Sequence, residues 1–409
     1  MKKEVKNMLL ERFLKYVRID TQSDPESTSF PSTEKQKNLA RLLTDELREL
    51  GLSDIKTDEY GYVYATLPTN CDSSYRLGFI AHMDTSSAVS GANVRPVITD
   101  NYDGSDIVLK KGVKISAEEF PELKNHIGKT LISADGTTLL GADDKAGIAE
   151  IMEALRQLVE SNVNRPTVKV AFTPDEEVGR GTEHFDVEGF DCDGAYTLDG
   201  GELGELEYEN FNAAGVKVTV TGKSVHPGTA KGKMINAGLV LMELQSLLPV
   251  FENPMYTEGY EGFYHLDNMT ATVDSAVAHY IIRDHDRTKF EAKKRFFAQC
   301  VDFLNKKYGK GTVRCDIKDS YYNMKEIIEH NRHLVDNAVK AMEKAGINAL
   351  VRPIRGGTDG ATLSYKGLPC PNLFTGGYNF HGRYEYIPLE DMNKAVEVIL
   401  NLAEIYAGK

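Results

Sequence analysis

VKVAFTPDEEVG (Val168–Gly179) joins an apolar run to three consecutive carboxylates. The run has the length and composition of a buried strand. The acids Asp175, Glu176 and Glu177 belong, by composition alone, to a solvated loop. Negative charge placed directly beside buried structure needs a partner that neutralises it. The same construction recurs along the chain. LGFIA ends in His82-Met83-Asp84, AYTL in Asp199-Gly200-Gly201, and NLFTGGYNF in His381. In open α/β sheets, ligands bind just beyond the carboxyl ends of the strands. Four such ends bearing His, Glu, Asp and His predict one converging site.

The surrounding pattern supports that sheet. Strands are predicted at Val63–Leu67, Leu77–Ala81, Val168–Thr173 and Ala195–Leu198, alternating with helices at Glu34–Leu50 and Ala146–Glu160. In the second helix Ile148, Ile151, Met152, Leu155 and Val159 share one face. This alternation predicts an α/β fold, a mixed and largely parallel sheet flanked by helices. After Asn210 the grammar changes. Val216, Val218 and Val220 alternate strictly, and helices at 234–248 and 288–308 interleave with strands at 268–273, 276–283 and 312–318. That β-α-β-β-α-β order is the ferredoxin-like motif. Residues 210–320 therefore read as an inserted α+β domain, with 1–209 and 321–409 forming the main domain. The returning segment carries a predicted helix at 325–345 and a terminal helix from Leu389.

LLGADDKAGIAEIM (Leu139–Met152) adds Asp143 and Asp144 in a Gly-flanked loop just before a helix. Imidazole and carboxylate oxygen are good ligands for Zn²⁺ and similar divalent ions. His82, Asp143, Glu177, Asp199 and His381 are enough for two ions if one carboxylate bridges. Each residue also has a plainer reading. His82 alone suits a core histidine, Glu176-Glu177 a solvated loop, Asp143-Asp144 favourable charge at a helix start, and Asp199 a turn. Those readings require separate coincidences at equivalent positions.

The bulk composition narrows the function. A chain of 409 residues favours two or three domains, since one core seldom exceeds roughly 250–300 residues. A net charge of −13 argues against broad nucleic-acid or anionic-membrane binding. Cys71, Cys192, Cys300, Cys315 and Cys370 are scattered, odd in number and never in a CxxC pair. They predict buried, reduced thiols and a cytoplasmic protein. The N-terminus holds no apolar stretch of signal-peptide type. There Leu10, Phe13, Leu14 and Val17 follow helical spacing instead.

HMDT, GADDKAG, TPDEEVG, TLDGG and the late GGYNFHG resemble the motifs of the co-catalytic zinc exopeptidases, the family that includes aminoacylase and glutamate carboxypeptidase. ENFNAAG, VHPGTAKG, TEGYEGFYHL, IRGGTDGA and GLPCPNLFTGGYNFHG are similar to its aminotripeptidase branch, and the likeness runs over nearly the whole chain. The resemblance implies a soluble metallo-aminopeptidase that takes the N-terminal residue from tripeptides, with two Zn²⁺ per chain and Co²⁺ or Mn²⁺ as substitutes. It implies one ion held by His82, Asp143 and Asp199 and another by Asp143, Glu177 and His381. Asp143, the first Asp of the family's D-x-K pattern, would bridge them and precede a cis peptide.

A hydroxide between the metals would be the nucleophile, Glu176 the general base, and Asp84 the partner of the His82 imidazole. His226 in VHPG would polarise the scissile carbonyl. Arg355, and less strongly Arg283, would grip the peptide's carboxylate. The inserted domain would act as a lid over the substrate, or as a dimerisation surface in a homodimer. A dipeptidase or N-acyl amino acid deacylase with the same two-metal core is the nearest alternative, and a non-catalytic binding protein the more distant one.

Overall fold

Val168, Val170, Ala171 and Phe172 are wholly buried, as a strand covered on both faces requires. The computed structural model, which describes residues 2–408, sets this strand, Thr167–Thr173, inside an eight-stranded sheet. From one edge the order is Ser53–Thr57, Val63–Leu67, Thr167–Thr173, Arg76–His82, Gly194–Gly200, Asn372–Phe374, Glu205–Glu207 and Leu350–Val351. The four strands from Thr167–Thr173 to Asn372–Phe374 are mutually parallel. Antiparallel pairs flank them on both sides. The sheet is thus mixed with a parallel centre. Its central strands carry the site motifs at their carboxyl ends.

Helix Ala142–Glu160 departs from the one-face expectation. It is buried almost throughout from Ala142 to Leu158, including Glu150 and Glu153, whereas Val159 is 40% exposed. The cause is its neighbours: besides the sheet, helices Lys2–Val17 and Leu389–Ala407 also pack against it. The N-terminal stripe is also displaced. Leu9, Phe13, Tyr16 and Val17 are fully buried, while Leu10 and Leu14 are half-buried. Tyr16 can occupy the buried row because its hydroxyl donates to Glu46. The predicted helix at 325–345 is broken into Lys325–Ile328, a 3₁₀ turn at Glu329–Asn331, and His333–Lys344.

The chain divides into two compact units. One holds the residues up to Tyr208, Glu326–Arg352 and those from Thr358 onward; the other holds Glu209–Lys325 with Pro353–Gly357. The second unit has its own antiparallel sheet, ordered Phe263–Ala271, Ser275–Asp284, Asn212–Thr221, Val313–Tyr321. Val216, Val218 and Val220 point to its covered face. There they pack with Leu241 and Leu244 of helix Ala237–Leu247 and with Phe290 and Phe297 of helix Arg287–Tyr308. All five cysteines are free, but only Cys300 and Cys370 are fully buried, the other three being half-buried. No described helix is long and apolar enough to cross a membrane.

Candidate metal centre

Parallel pairing sets His82 level with Thr173. Two strand ends therefore deliver their loops side by side. Beyond Thr173 the backbone turns through Asp175, which adopts φ 59°. The Asp175 carboxylate accepts from the Ser32 amide at 2.6 Å, the Ser32 hydroxyl at 2.5 Å and Gln36 Nε2 at 2.6 Å. The first acid of the triplet thus pins the turn. Glu176 and Glu177 follow on one 3₁₀ turn, and both their amides donate to Asp84, at 3.0 and 3.2 Å. Asp84 also reaches the imidazole: its Oδ1 lies 3.3 Å from His82 Nδ1, and its carbonyl oxygen 3.1 Å away. With Nδ1 so engaged, Nε2 is the nitrogen left to face the cluster.

His82 Nε2 lies 2.8 Å from Asp143 Oδ1 and 3.4 Å from Asp199 Oδ1. His381 Nε2 lies 2.9 Å from Asp143 Oδ2 and 3.1 Å from Glu177 Oε2. Each oxygen of Asp143 therefore faces a different imidazole. The ligand atoms of His82, Asp143 and Asp199 all fall within 4.8 Å of one another, as do those of Asp143, Glu177 and His381. Asp144 is turned the other way, accepting from the His82 amide at 3.0 Å and the Gly147 amide at 3.2 Å. The Asp143–Asp144 peptide is cis.

The charge balance of this cluster is unusual for a protein interior. Burial pushes the Glu177 carboxyl up to about 7 and that of Asp199 to about 6. Burial, with Asp199 and Asp359 nearby, holds Glu176 well above the carboxylate range. His381 is raised to about 11 by its contacts with Asp143 and Glu177. Burial opposes charge on His82, but Asp199, Asp143 and Asp84 outweigh it and raise its pKa well above the usual imidazole value. Among the described residues no Lys or Arg pairs with Asp143, Glu177 or Asp199. The buried Lys145, two residues after Asp143, donates instead to the Ile19 carbonyl at 2.7 Å. Glu177 Oε1 is buried with no hydrogen-bond partner among the described residues. Clustered carboxylates, two imidazoles and an orphaned acceptor form a donor set that fits divalent cations.

Two neighbours escaped the sequence reading. Glu385 is wholly buried and accepts hydrogen bonds from the amides of Leu140, Gly141, Ala142 and Asp143. Burial lifts its carboxyl to about 7. Asp359 in IRGGTDGA accepts from the Thr173 hydroxyl at 3.2 Å, and burial raises it also to about 7. The available signal was a lone acid in apolar YEYIP and an Asp at the start of helix Asp359–Tyr365.

His226, Arg283 and Arg355 belong to the second unit. His226 is exposed, and its Nδ1 accepts from the Gly228 amide at 3.1 Å, so a neutral ring carries its proton on Nε2. Arg355 is heavily committed. It donates to the carbonyls of Gly259, Glu261 and Thr257 at 2.7, 3.1 and 3.2 Å and to the Thr257 hydroxyl at 3.0 Å. Its guanidinium also lies over Phe211. Arg283 donates to the Arg355 carbonyl at 3.1 Å, and its Nε is buried without a hydrogen-bond partner among the described residues.

A mixed sheet whose parallel central strands end in two overlapping His-carboxylate triads fits a metallopeptidase class, and the chain belongs to peptidase family M20/M25/M40, whose profile matches residues 135–405. It is 58% identical to peptidase T of Alkaliphilus oremlandii, over 98% of this chain and 100% of that one. It is likewise 58% identical to peptidase T of Caldanaerobacter subterraneus subsp. tengcongensis, over 98% and 99% of the two chains. In fold it is similar to the crystal structure of a tripeptidase from Staphylococcus aureus, with TM-score 0.81, 24% identity and 99% of each chain covered. A Bacillus subtilis protein described as a dinuclear metal-binding peptidase of the M20 family shares the fold at TM-score 0.68, with 12% identity and 98% of each chain covered.

Proposed function

We propose that the chain is a tripeptide aminopeptidase that works with two divalent cations, zinc by the chemistry of its ligands. The observation that carries this reading is Asp143, whose two oxygens face His82 and His381 separately, each with a second carboxylate alongside. His82, Asp143 and Asp199 would hold one ion, and Asp143, Glu177 and His381 the other. When bound, such ions acidify a water and stabilise negative charge on a carbonyl oxygen.

The protein groups supply the rest. Glu176 adjoins Glu177 yet belongs to neither triad, and its half-buried side chain is raised in pKa by desolvation. A carboxylate of that kind accepts a proton from the attacking water and returns it to the leaving amine. Asp84 holds the His82 ring and the Glu176–Glu177 turn together, fixing the distance between base and ligands. The Nε2–H of His226 suits donation to the scissile carbonyl. Of the two arginines, Arg283 is the better carboxylate partner, because Arg355 spends its donors on backbone carbonyls. Preference for tripeptides draws on the likeness to the peptidase T proteins. Release of the N-terminal residue from di-, tri- and tetrapeptides, with and without chelator, tests the reading. It predicts chelator-sensitive turnover greatest for tripeptides; equal turnover at all three lengths contradicts it.

A further inference from the structure

Glu385 sits four residues after His381 and reaches across to a loop far away in the chain. Leu140 and Gly141 donate to its Oε2 at 2.7 and 2.9 Å; Ala142 and Asp143 donate to its Oε1 at 2.7 and 3.2 Å. Four N–H groups fill the lone-pair sites of one carboxylate. On its own side, Glu385 lies at the base of a closed loop. Tyr378 and Tyr386 exchange backbone hydrogen bonds at 2.9 and 3.1 Å, and their rings stack with centroids 5.1 Å apart. His381 projects from that loop with φ 61°. One buried group therefore ties the Asp143 backbone to the segment carrying His381.

We propose that Glu385 is a positioning residue that sets the His381 loop against the Asp143 loop and so selectively tightens the cation site made by Asp143, Glu177 and His381. The inference rests on the two-cation reading above. The other triad draws His82 and Asp199 from adjacent strands, so its geometry depends less on this staple. Glu385→Gln sets an NH₂ group against two N–H donors and keeps one carbonyl oxygen, which removes about half of the staple. Glu385→Asp shortens the reach by one methylene.

The test is Zn²⁺ titration of metal-free protein against a chromophoric chelator, with Co²⁺ absorption spectra as the readout of ligand geometry. Unaltered protein should bind two ions. In Glu385→Gln one ion should bind as before and the other about 10–100-fold more weakly, the usual effect of losing a supporting partner. The Co²⁺ spectrum of that weakened ion should change, and His381→Ala should weaken the same one. Two ions bound with unaltered affinity and spectra, even alongside a lowered melting temperature, would overturn the proposal. Equal weakening of both would also overturn it. If the glutamine variant is recovered only unfolded, Glu385→Asp is judged by the same affinity ratio. Fewer than two ions on unaltered protein would refute the two-cation reading itself, a different result from a failed staple.

Discussion

The carboxylate cluster at the strand ends and the candidate substrate groups of the second unit are built on opposite principles. In the cluster the acids that frame the ligands are tied down. Asp84 takes two amides, Asp144 two and Glu385 four, and Asp175 accepts from Ser32 and Gln36. His226, by contrast, is exposed, and among the described residues its ring bonds only to the amide of Gly228 two residues on. A group that must hold an ion needs its geometry fixed before the ion arrives. A group that must meet a peptide needs unused donors. Burial without pairing marks the first kind of site, and exposure with one free polar atom marks the second.

The sharpest way to break this contrast is to remove chemistry from the rigid side without disturbing its frame. Glu176→Gln should cut kcat by on the order of 10²–10⁴-fold while metal content stays at the unaltered level. Near-normal turnover, measured with elemental analysis of the same sample, would remove Glu176 as the base. His226→Ala, on the open side, should lower kcat by about 10²–10³-fold, the loss typical of one oxyanion donor, with metal content and melting temperature unchanged. A fall in metal content would instead place His226 with the rigid group.

The two arginines give a smaller, dividing effect. Arg283→Ala should raise KM for free-acid tripeptides by roughly tenfold or more, as expected for a lost charge-assisted hydrogen bond, and leave tripeptide amides nearly unaffected. Arg355→Ala should mainly lower the melting temperature, since three carbonyls and the faces of Phe211 and Phe263 lose their partner. The reverse assignment would appear as a KM effect confined to Arg355. The smallest effect is in pH. His381, raised to about 11 by Asp143 and Glu177, is protonated in metal-free protein near neutrality, so an ion arriving there must displace a proton. Affinity should therefore fall as pH falls, by about tenfold per unit for one displaced proton. Calorimetry in buffers of different ionisation enthalpy counts the protons released.

Much of this was legible in the sequence because the chemistry-bearing residues stand at ends of apolar runs. Val63–Leu67 is a strand with the bounds its pattern predicts, and His82, Asp143, Glu177, Asp199 and His381 lie together. What escaped has a common cause. Glu385 acts on backbone amides, which every residue carries, so no side-chain pattern announces its partners some 242 residues away. The commitment of Arg355 was hidden for the same reason. The burial of Glu150 and Glu153 depends on the helices that flank theirs, and periodicity in one helix cannot report which neighbours cover it.

The central claim is that Asp143 joins two cations. Anomalous X-ray scattering at the zinc edge, from crystals grown with Zn²⁺, tests it most directly. The account predicts two peaks flanking the Asp143 carboxylate, one bonded to His82 and Asp199 and the other to Glu177 and His381. A single peak, or two that do not share Asp143, would contradict it.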